Sequence, residues 1–286
     1  MRADIHDPYG GSVQPVSGGA PGAIPDEQPF SADGGPIGVV VSHGFTGTPA
    51  SVRDWAIALA DAGHSVRLPL LPGHGGTWQD TNRTRWPEWY GAIEAAYLEL
   101  AERCETVFAV GLSMGGTLVT RLAQHYPDKI AGLVLVNPAY GTQRIDAKLA
   151  PYIAWAVRSR PSIGGDIKKP GVSEPAGDRT PVVAFASLYK LWKLTVADLD
   201  KVRAPILMYR SREDHVVDPL SARLLKAGAV NTTVHEVMLE DSYHVATMDN
   251  DAPTIFRGSV EFIASHAPAA PAGDQVGDSS GDPVRP

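Results

Sequence analysis

Short apolar runs alternate with longer helical patterns along most of this 286-residue chain. Gly38–Ser42, Thr106–Gly111 and Ile130–Val136 are such runs, rich in β-branched residues and without strict alternation of apolar and polar side chains. Between them, segments such as Ala50–Ala60 and Met114–Tyr126 carry apolar residues at helical spacing. Apolar strands separated by helices are typical of a parallel sheet covered on both faces. We therefore predict an α/β fold with a mostly parallel, doubly wound sheet.

One segment interrupts this alternation. Residues 140–200 contain helix-like pieces around a polar, Gly- and Pro-rich stretch at Pro161–Pro181, but no convincing strand. A stretch of this length without a strand is too long for an ordinary loop of a regular α/β chain. We therefore predict that residues 31–139 and 201–266 form the core, and that residues 140–200, hereafter the insertion, form a small lid.

The two ends of the chain differ in composition from the region between them. Residues 1–30 and 267–286 are rich in Gly, Pro and Ser and show no sustained period. Such segments hold too little apolar surface to offset their ordering entropy, so we expect disordered tails. The first residues have no apolar core of a signal peptide, and no apolar run approaches the roughly 18 residues of a membrane span. The sequence therefore predicts a cytoplasmic protein without stable membrane insertion.

Charge and cysteine content exclude several classes of function. The formal net charge is −7, and Lys and Arg are spread thinly along the chain. Because no basic run could neutralise phosphates, we expect no nucleic-acid partner. The single cysteine, Cys104, cannot form an intramolecular disulfide. The sequence has no HExxH motif, no Cys-x-x-Cys pair and no Gly-rich phosphate loop, so we expect no metal and no cofactor.

The residues Gly111–Gly115, GLSMG, join the apolar run TVFAV to a helix pattern. This context predicts a sharp strand-to-helix turn that carries a nucleophilic serine, Ser113. Glycines flank the serine because side chains there would collide with the neighbouring backbone. The turn would hold the serine oxygen at the N-terminus of the next helix, where free amides and the helix dipole favour developing negative charge.

A nucleophilic serine needs a base, and the base needs an acid that orients it. Where the serine lies on such a turn, the chain order is nucleophile, acid, histidine. Asp214 follows the late apolar run Pro205–Arg210 and is the candidate acid, with Glu213 and Asp218 as rivals. Asp218 precedes a probable helix start, so its alternative role is capping. The preceding strand ends in Asn137, which cannot carry a negative charge, so the later site is favoured.

His244 is the candidate base among the nine histidines. It follows the last strand-like run and precedes the final helix pattern, which places it to reach over the carboxyl edge of the sheet. His215 lies in the loop of the candidate acid and is the second choice.

The motif HGFTG, residues 43–47, directly follows the run GVVVS. An oxyanion hole on this kind of turn takes one N–H from the residue after the nucleophile, here Met114. The other comes from the loop after an early strand, and Phe45 is the candidate backbone donor. We expect His43 to bond this loop in place rather than to transfer protons, and His74 in PGHG to fix the geometry of the neighbouring turn.

The motifs HGFTG, PGHG, GLSMGG, EDHVV and SYHVATMD together resemble those of serine esterases of the α/β-hydrolase family. The chain is similar to the bacterial carboxylesterases and, more closely, to the monoacylglycerol lipases of Bacillus type, from about Val39 to Ile263. The resemblance implies that Ser113, Asp214 and His244 form a triad. It also implies cleavage of carboxylic esters, above all monoacylglycerols, to fatty acid and glycerol through an acyl-enzyme.

The resemblance further implies that the insertion has an apolar inner face for the acyl chain. The candidates for this face are Tyr152, Trp155, Phe185, Leu188 and Trp192. Their alternative role is to pack the insertion onto the core. The resemblance also implies that Glu174 meets the glycerol head group, whereas its alternative role is that of an exposed carboxylate. The expected partner is a small lipid-like ester, with transient contact between the insertion and lipid surfaces.

Several other functions remain open at this point. A general short-chain carboxylesterase and a cofactor-free perhydrolase would use the same triad. A dehalogenase is disfavoured because its nucleophile would be an aspartate. A non-catalytic binding protein could keep the fold as a ligand pocket, although it would not need an intact serine, acid and histidine. The long N-terminal tail and the Pro-rich C-terminal tail depart from the family and leave partner binding open.

Overall fold

The computed structural model describes residues 27–144, 152, 154–162, 165–175, 177 and 179–268. Residues 1–26 and 269–286, where we predict tails, lie outside the described residues, as do parts of the insertion. The described strands are β1 (Phe30–Ala32), β2 (Ile37–Ser42), β3 (Ser65–Leu68), β4 (Thr106–Leu112), β5 (Ile130–Val136), β6 (Ser159–Pro161), β7 (Arg179–Pro181), β8 (Ile206–Ser211) and β9 (Val234–Leu239).

Helices connect most of these strands. They are α1 (Arg53–Asp61), α2 (Trp78–Thr81), α3 (Trp86–Ala101), α4 (Met114–His125), α5 (Val182–Ala197), α6 (Leu220–Gly228) and α7 (Ala252–His266). Short 3₁₀ turns occupy Pro49–Val52, Leu199–Lys201 and Ala246–Met248. None of the helices in the described ranges has the length and apolarity that crossing a bilayer requires.

Seven strands of the described residues form one sheet in the order β1-β3-β2-β4-β5-β8-β9. Every neighbouring pair in this sheet is parallel except β1 with β3. The predicted α/β fold with a mostly parallel sheet is thereby confirmed. In a parallel sheet of this kind the loops after the strands meet at one carboxyl edge.

Both faces of the sheet are buried, which explains why its strands lack alternation. Leu133 and Leu135 of β5 belong to an apolar cluster that includes residues of α3, α4 and α5. Val134 and Val136, on the opposite face of β5, belong to a second cluster with residues of α1 and α7. Successive residues of one strand thus pack against different helix layers, and a continuous apolar run satisfies both.

The first described strand begins one residue before residue 31, the predicted start of the folded region. Phe30 pairs with Leu68 as the first residue of β1, an antiparallel edge strand of three residues. A three-residue edge strand next to a polar segment leaves no periodic run, so the pattern gave no sign of it.

The described part of the insertion contains two strands, so the expectation of a strand-free segment was wrong. β6 and β7 form an antiparallel pair in which Ser159 lies opposite Pro181. Each has three residues and ends in proline, and neither carries the β-branched run that marks a strand. The helix α5 joins the insertion to the core, since Ser187 Oγ accepts a hydrogen bond of 3.0 Å from the Trp86 N–H of α3.

Candidate active site

Ser113 occupies the turn between β4 and α4 in a strained backbone conformation. Its φ is 55° and its ψ is −117°, in the left-handed region that few residues other than glycine adopt. The turn is fixed by the end of β5, because the Ser113 N–H donates to the Val136 carbonyl at 2.9 Å. The Ser113 carbonyl accepts a 3.2 Å bond from the Ala139 N–H. Serine is therefore held on a rigid turn at the carboxyl edge of the sheet.

Two glycines of GLSMG have no room for a side chain. A Cβ added to Gly111 would lie less than 3.0 Å from the backbone of Gly115. A Cβ added to Gly115 would lie less than 3.0 Å from the Ser42 carbonyl oxygen of β2. Contacts this short do not occur for real Cβ atoms, so the spacing of the motif follows from close backbone packing around the turn.

Asp214 and His244 form a buried pair in the loops after β8 and β9. His244 Nδ1 lies 2.9 Å from Asp214 Oδ2, and both side chains are less than a tenth exposed. Asp214 Oδ1 accepts bonds of 2.9 and 2.8 Å from the N–H groups of Val216 and Val217. The carboxylate is thus held by three hydrogen-bond donors, and its second oxygen faces the imidazole.

The surroundings shift the pKa values of Asp214 and His244 in opposite directions. Burial disfavours the ionised form of Asp214, but the His244 charge and the three hydrogen bonds outweigh burial and lower its pKa. Burial would also lower the pKa of His244, but the charge and hydrogen bond of Asp214 outweigh it and raise that pKa above its ordinary value. An ionised Asp214 beside a more basic His244 is the arrangement that a general base needs.

The rival residues are placed elsewhere. Glu213 is exposed. Asp218 Oδ1 accepts the Leu220 N–H at 2.9 Å where α6 begins, as expected for a capping role. The His215 side chain is 61% exposed and pairs with Asp166 at 2.8 Å, so it does not face the buried serine.

His43 ties the HGFTG loop to the loop after β3. Its Nε2 accepts a 3.1 Å bond from the Leu71 N–H, and its Nδ1 lies 3.0 Å from the Gly44 carbonyl oxygen. Burial, together with the neighbouring His74, lowers the pKa of His43 to about 3. A neutral His43 that accepts at Nε2 must carry its proton on Nδ1, which then donates to Gly44. This bond orients the peptide group whose N–H belongs to Phe45.

The amides of Phe45 and Met114 are available to a ligand. Neither donates a hydrogen bond to another residue in the described part of the chain. The HGFTG loop runs beside the serine, since a Cβ on Gly44 would lie 3.4 Å from Ser113 Cβ. Two unused N–H groups next to the serine can receive a negatively charged oxygen.

Ser113 and His244 line the same pocket, with a volume of about 370 Å³. Phe185, Leu188 and Trp192 of α5 line it as well. The remaining apolar lining includes Val182, Val216, Val217 and Val245. Ser113 is 8% exposed and His244 is 7% exposed, so both polar side chains are largely sheltered from water in a mostly apolar pocket.

Two aromatic residues predicted to face the acyl chain lie outside this pocket. Trp155 is 84% exposed and Tyr152 is 74% exposed, and neither is part of the lining. The other candidates, Phe185, Leu188 and Trp192 of helix α5, line the pocket. The sequence pattern could not separate the two groups, because both are aromatic residues at helix-like spacing.

Glu174 also lines the pocket. Its Oε2 accepts a 3.2 Å bond from the Gly165 N–H. Burial raises the pKa of Glu174, although the Gly165 hydrogen bond and the His244 charge oppose this. The other oxygen reaches the HGFTG loop, since a Cβ on Gly47 would lie 2.8 Å from Glu174 Oε1. The last glycine of that motif thus leaves space for this carboxylate.

Asn137 also lies at the site, although its sequence position indicates only that it cannot supply a negative charge. It has a φ of 43° and lies at the end of β5. Its Nδ2 donates to Ser211 Oγ at 2.9 Å and to the His244 carbonyl at 2.8 Å. Its Oδ1 accepts the Ser211 N–H at 2.8 Å. Asn137 thereby connects the ends of β5 and β8 with the loop that carries His244, and its place at a strand end next to β4 was the signal available.

These groups suit acyl transfer: a serine, a base with an orienting carboxylate, and two amides around one pocket. Within the described ranges, no group of three or more His, Cys, Asp or Glu side chains could hold a metal ion.

The alpha/beta hydrolase family model matches residues 39–255. The chain is 45% identical, over 240 residues, to a thermostable monoacylglycerol lipase of Bacillus sp. (strain H-257), a match that covers 84% of this chain and 95% of that one. It is 25% identical to a carboxylesterase of Bacillus subtilis (strain 168), covering 82% and 96%. A solved structure of the metagenome-derived lipolytic enzymes LipS and LipT has a TM-score of 0.82 and 39% identity, covering 85% of this chain and 99% of that one. The chain therefore belongs to the alpha/beta hydrolase family.

Proposed function

We propose that this protein is a carboxylic ester hydrolase that cleaves monoacylglycerols to fatty acid and glycerol. One observation carries the proposal: a serine with a φ of 55° shares a largely apolar pocket with a buried histidine–carboxylate pair. The similarity to a monoacylglycerol lipase over most of the chain supports the choice of ester.

In the first half of the reaction, Ser113 Oγ attacks the carbonyl carbon of the ester. His244 takes the serine proton, and Asp214 Oδ2, 2.9 Å from Nδ1, keeps the imidazole in the required tautomer and stabilises its positive charge. The amides of Phe45 and Met114 bind the carbonyl oxygen as it becomes negative. Each such donor contributes about 3 kcal/mol to lowering the barrier.

In the second half, the tetrahedral intermediate collapses to an acyl-enzyme on Ser113. His244 returns its proton to the departing alcohol oxygen, so the alcohol leaves neutral. A water molecule then attacks the acyl carbon while His244 accepts its proton, and the fatty acid leaves when Ser113 regains a proton.

The pocket fits an ester with one apolar arm and one polar arm. The apolar side chains of α5 offer a surface for an acyl chain. Glu174 provides a carboxylate at the same pocket that can accept hydrogen bonds from the hydroxyls of a glycerol group. A pocket with both features favours a monoacylglycerol over a simple ester.

The insertion also supports contact with a lipid surface. Its residues Tyr152 and Trp155 are 74% and 84% exposed, although both side chains are large and aromatic. Tyr and Trp favour the boundary between water and lipid because their rings are apolar and their tips polar. We infer that the insertion acts as a lid that touches lipid surfaces transiently through these two residues.

Rates for a chain-length series test the choice of substrate. Monoacylglycerols should be compared with p-nitrophenyl esters that carry the same acyl chains. We expect higher kcat/KM for the monoacylglycerols of medium or long chain. Preference for short simple esters would indicate a general carboxylesterase, and no hydrolysis in either series would indicate a binding protein.

A further inference from the structure

One residue of the insertion makes direct bonds to the loop of the candidate base. Asp166 Oδ2 accepts a 3.2 Å hydrogen bond from the backbone N–H of His244. The Asp166 carbonyl accepts a 3.1 Å bond from the next amide, that of Val245. Two successive amides of the base loop are therefore held by the side chain and the backbone of a single residue.

The same carboxylate also holds the loop of the orienting acid. Asp166 Oδ2 accepts a 3.1 Å bond from the N–H of His215, the residue after Asp214. Asp166 Oδ1 pairs with His215 Nδ1 at 2.8 Å. Since the two loops follow different strands, this carboxylate is a bridge that fixes one loop relative to the other. Its side chain is 16% exposed, so the bridge is largely sheltered from water.

Asp166 belongs to a strap, Gly165–Lys169, that is tied to the site at both ends. At one end, the Gly165 N–H donates to Glu174 at 3.2 Å. At the other, the N–H groups of Lys168 and Lys169 donate to the Asp249 carboxylate at 2.7 and 2.9 Å. Asp249 also accepts the Tyr243 N–H at 2.9 Å, so the strap and the base loop share this second anchor.

The negative charge of Asp166 also acts on His244, the proposed base. Burial opposes the charged form of His244, and three carboxylates favour it: Asp214 most strongly, then Glu174 and Asp166. His215 is held positive over a wider pH range because the hydrogen bond and charge of Asp166, with smaller effects of Asp214 and Glu213, raise its pKa. His215 thus offsets part of the Asp166 charge when it is protonated.

We propose that Asp166 is a positioning residue for His244, through which the insertion sets both the geometry and the basicity of the catalytic base. This inference rests on the proposed esterase function. Its geometric part comes from the bridge between the two loops, and its electrostatic part from a carboxylate bonded to the backbone of the base itself. The strap and the loop of the base are thus joined through Asp166.

The test is the pH profile of kcat/KM for a soluble p-nitrophenyl ester, together with the pH dependence of inactivation by a fluorophosphonate. Asp166→Asn keeps an acceptor for the two amides and removes the charge. Without that charge His244 protonates less readily, so we expect the acid limb of both profiles to move to lower pH. Asp166→Ala should show the same movement and also lose up to about 100-fold in kcat, because the loop is no longer held in place.

Two further variants make the result specific. His215→Gln removes the side-chain partner of Asp166 Oδ1 and keeps the carboxylate, and His215 is not among the charges that act on His244, so its acid limb should stay in place. Asp249→Asn removes another carboxylate that ties the strap to the base loop, but Asp249 is not among the charges that act on His244. We expect its acid limb to stay in place even if its thermal stability falls.

The possible outcomes are distinct. If the wild type is active and Asp166→Asn has the same acid limb, the role of Asp166 is overturned. A loss of rate by the same factor at every pH in Asp166→Asn would overturn it too. A wild type that neither hydrolyses esters nor reacts with the fluorophosphonate would overturn the proposed function instead.

Discussion

Glu174 and Asp214 are two carboxylates whose charges both act on His244, but their surroundings shift their pKa values in opposite directions. Burial dominates at Glu174 and raises its pKa, since the Gly165 amide and the His244 charge only partly compensate. At Asp214 the imidazole charge and the amides of Val216 and Val217 overcome burial and lower the pKa. Asp214 thus suits a permanently charged partner of the base, and Glu174 suits recognition of hydroxyl groups.

The proposed role of Glu174 predicts a change of selectivity. In Glu174→Ala, kcat/KM for a monoacylglycerol should fall by about 10- to 100-fold, because a hydrogen bond to a charged group is worth about 1.5–3 kcal/mol. The p-nitrophenyl ester of the same acyl chain has no glycerol group, so its rate should fall much less. An equal loss for both esters would contradict recognition of glycerol by Glu174.

The sequence could predict those site residues that lie in short motifs with fixed spacing. Ser113, Asp214 and His244 each follow a recognisable strand, and the structure brings them to one edge of the sheet. Asp166 could not be found in this way. It lies in a polar part of the insertion, and its contacts with His215 and His244 span 49 and 78 residues of sequence. Trp155 is the opposite case, a predicted residue that lies outside the pocket lining. Aromatic character alone does not tell which way a side chain faces.

At the level of elements, the turn between β4 and α4 depends on close approach of three backbones. Gly111→Ala would put a Cβ against the backbone of Gly115. We expect it to lower the free energy of unfolding by about 3 kcal/mol or more, and esterase activity with it, since the turn cannot relax without moving Ser113. Urea unfolding at neutral pH measures the change.

Gly91 provides the matched control for that substitution. It is an exposed glycine inside α3, and a Cβ added to it meets nothing within 4 Å. Gly91→Ala should therefore raise the free energy of unfolding by about 0.5–1 kcal/mol through helix propensity. If both variants lost the same stability, crowding at the turn would not be the cause of the glycine requirement.

The long elements of the fold were predictable and the short ones were not. β5 is found with the predicted bounds, Ile130–Val136, because a continuous apolar run bounded by polar residues is typical of a buried strand. β1, β6 and β7 have three residues each and form antiparallel pairs, where distant hydrogen-bonding partners rather than local pattern decide the conformation. The local sequence does not indicate which distant segment will pair with such a strand.

At the scale of the whole molecule, the exposed aromatic residues of the insertion predict that the protein contacts lipid surfaces with the insertion rather than with another face. Trp155→Ser should lower binding to phospholipid vesicles by roughly tenfold, because most of one large apolar side chain is withdrawn from the interface. Co-sedimentation with vesicles measures the binding. Hydrolysis of a water-soluble ester should change little, since Trp155 is not part of the pocket lining.

Val230→Ser is the control for this effect. Val230 is also exposed, at 69%, but it precedes β9 and so lies at the amino edge of the sheet, away from the loops that carry Asp214 and His244. Vesicle binding should be unchanged in this variant. Equal losses in the two variants would mean that lipid contact does not involve the insertion in particular.

The identity of the nucleophile can be measured most directly by reaction of the protein with a fluorophosphonate, followed by peptide mapping and by ester hydrolysis. We predict a single adduct on Ser113 in the wild type. We also predict that Ser113→Ala folds normally, forms no adduct and loses activity by on the order of 10⁶-fold. An adduct on another residue, or hydrolysis by Ser113→Ala at a rate comparable to that of the wild type, would contradict the proposed esterase mechanism.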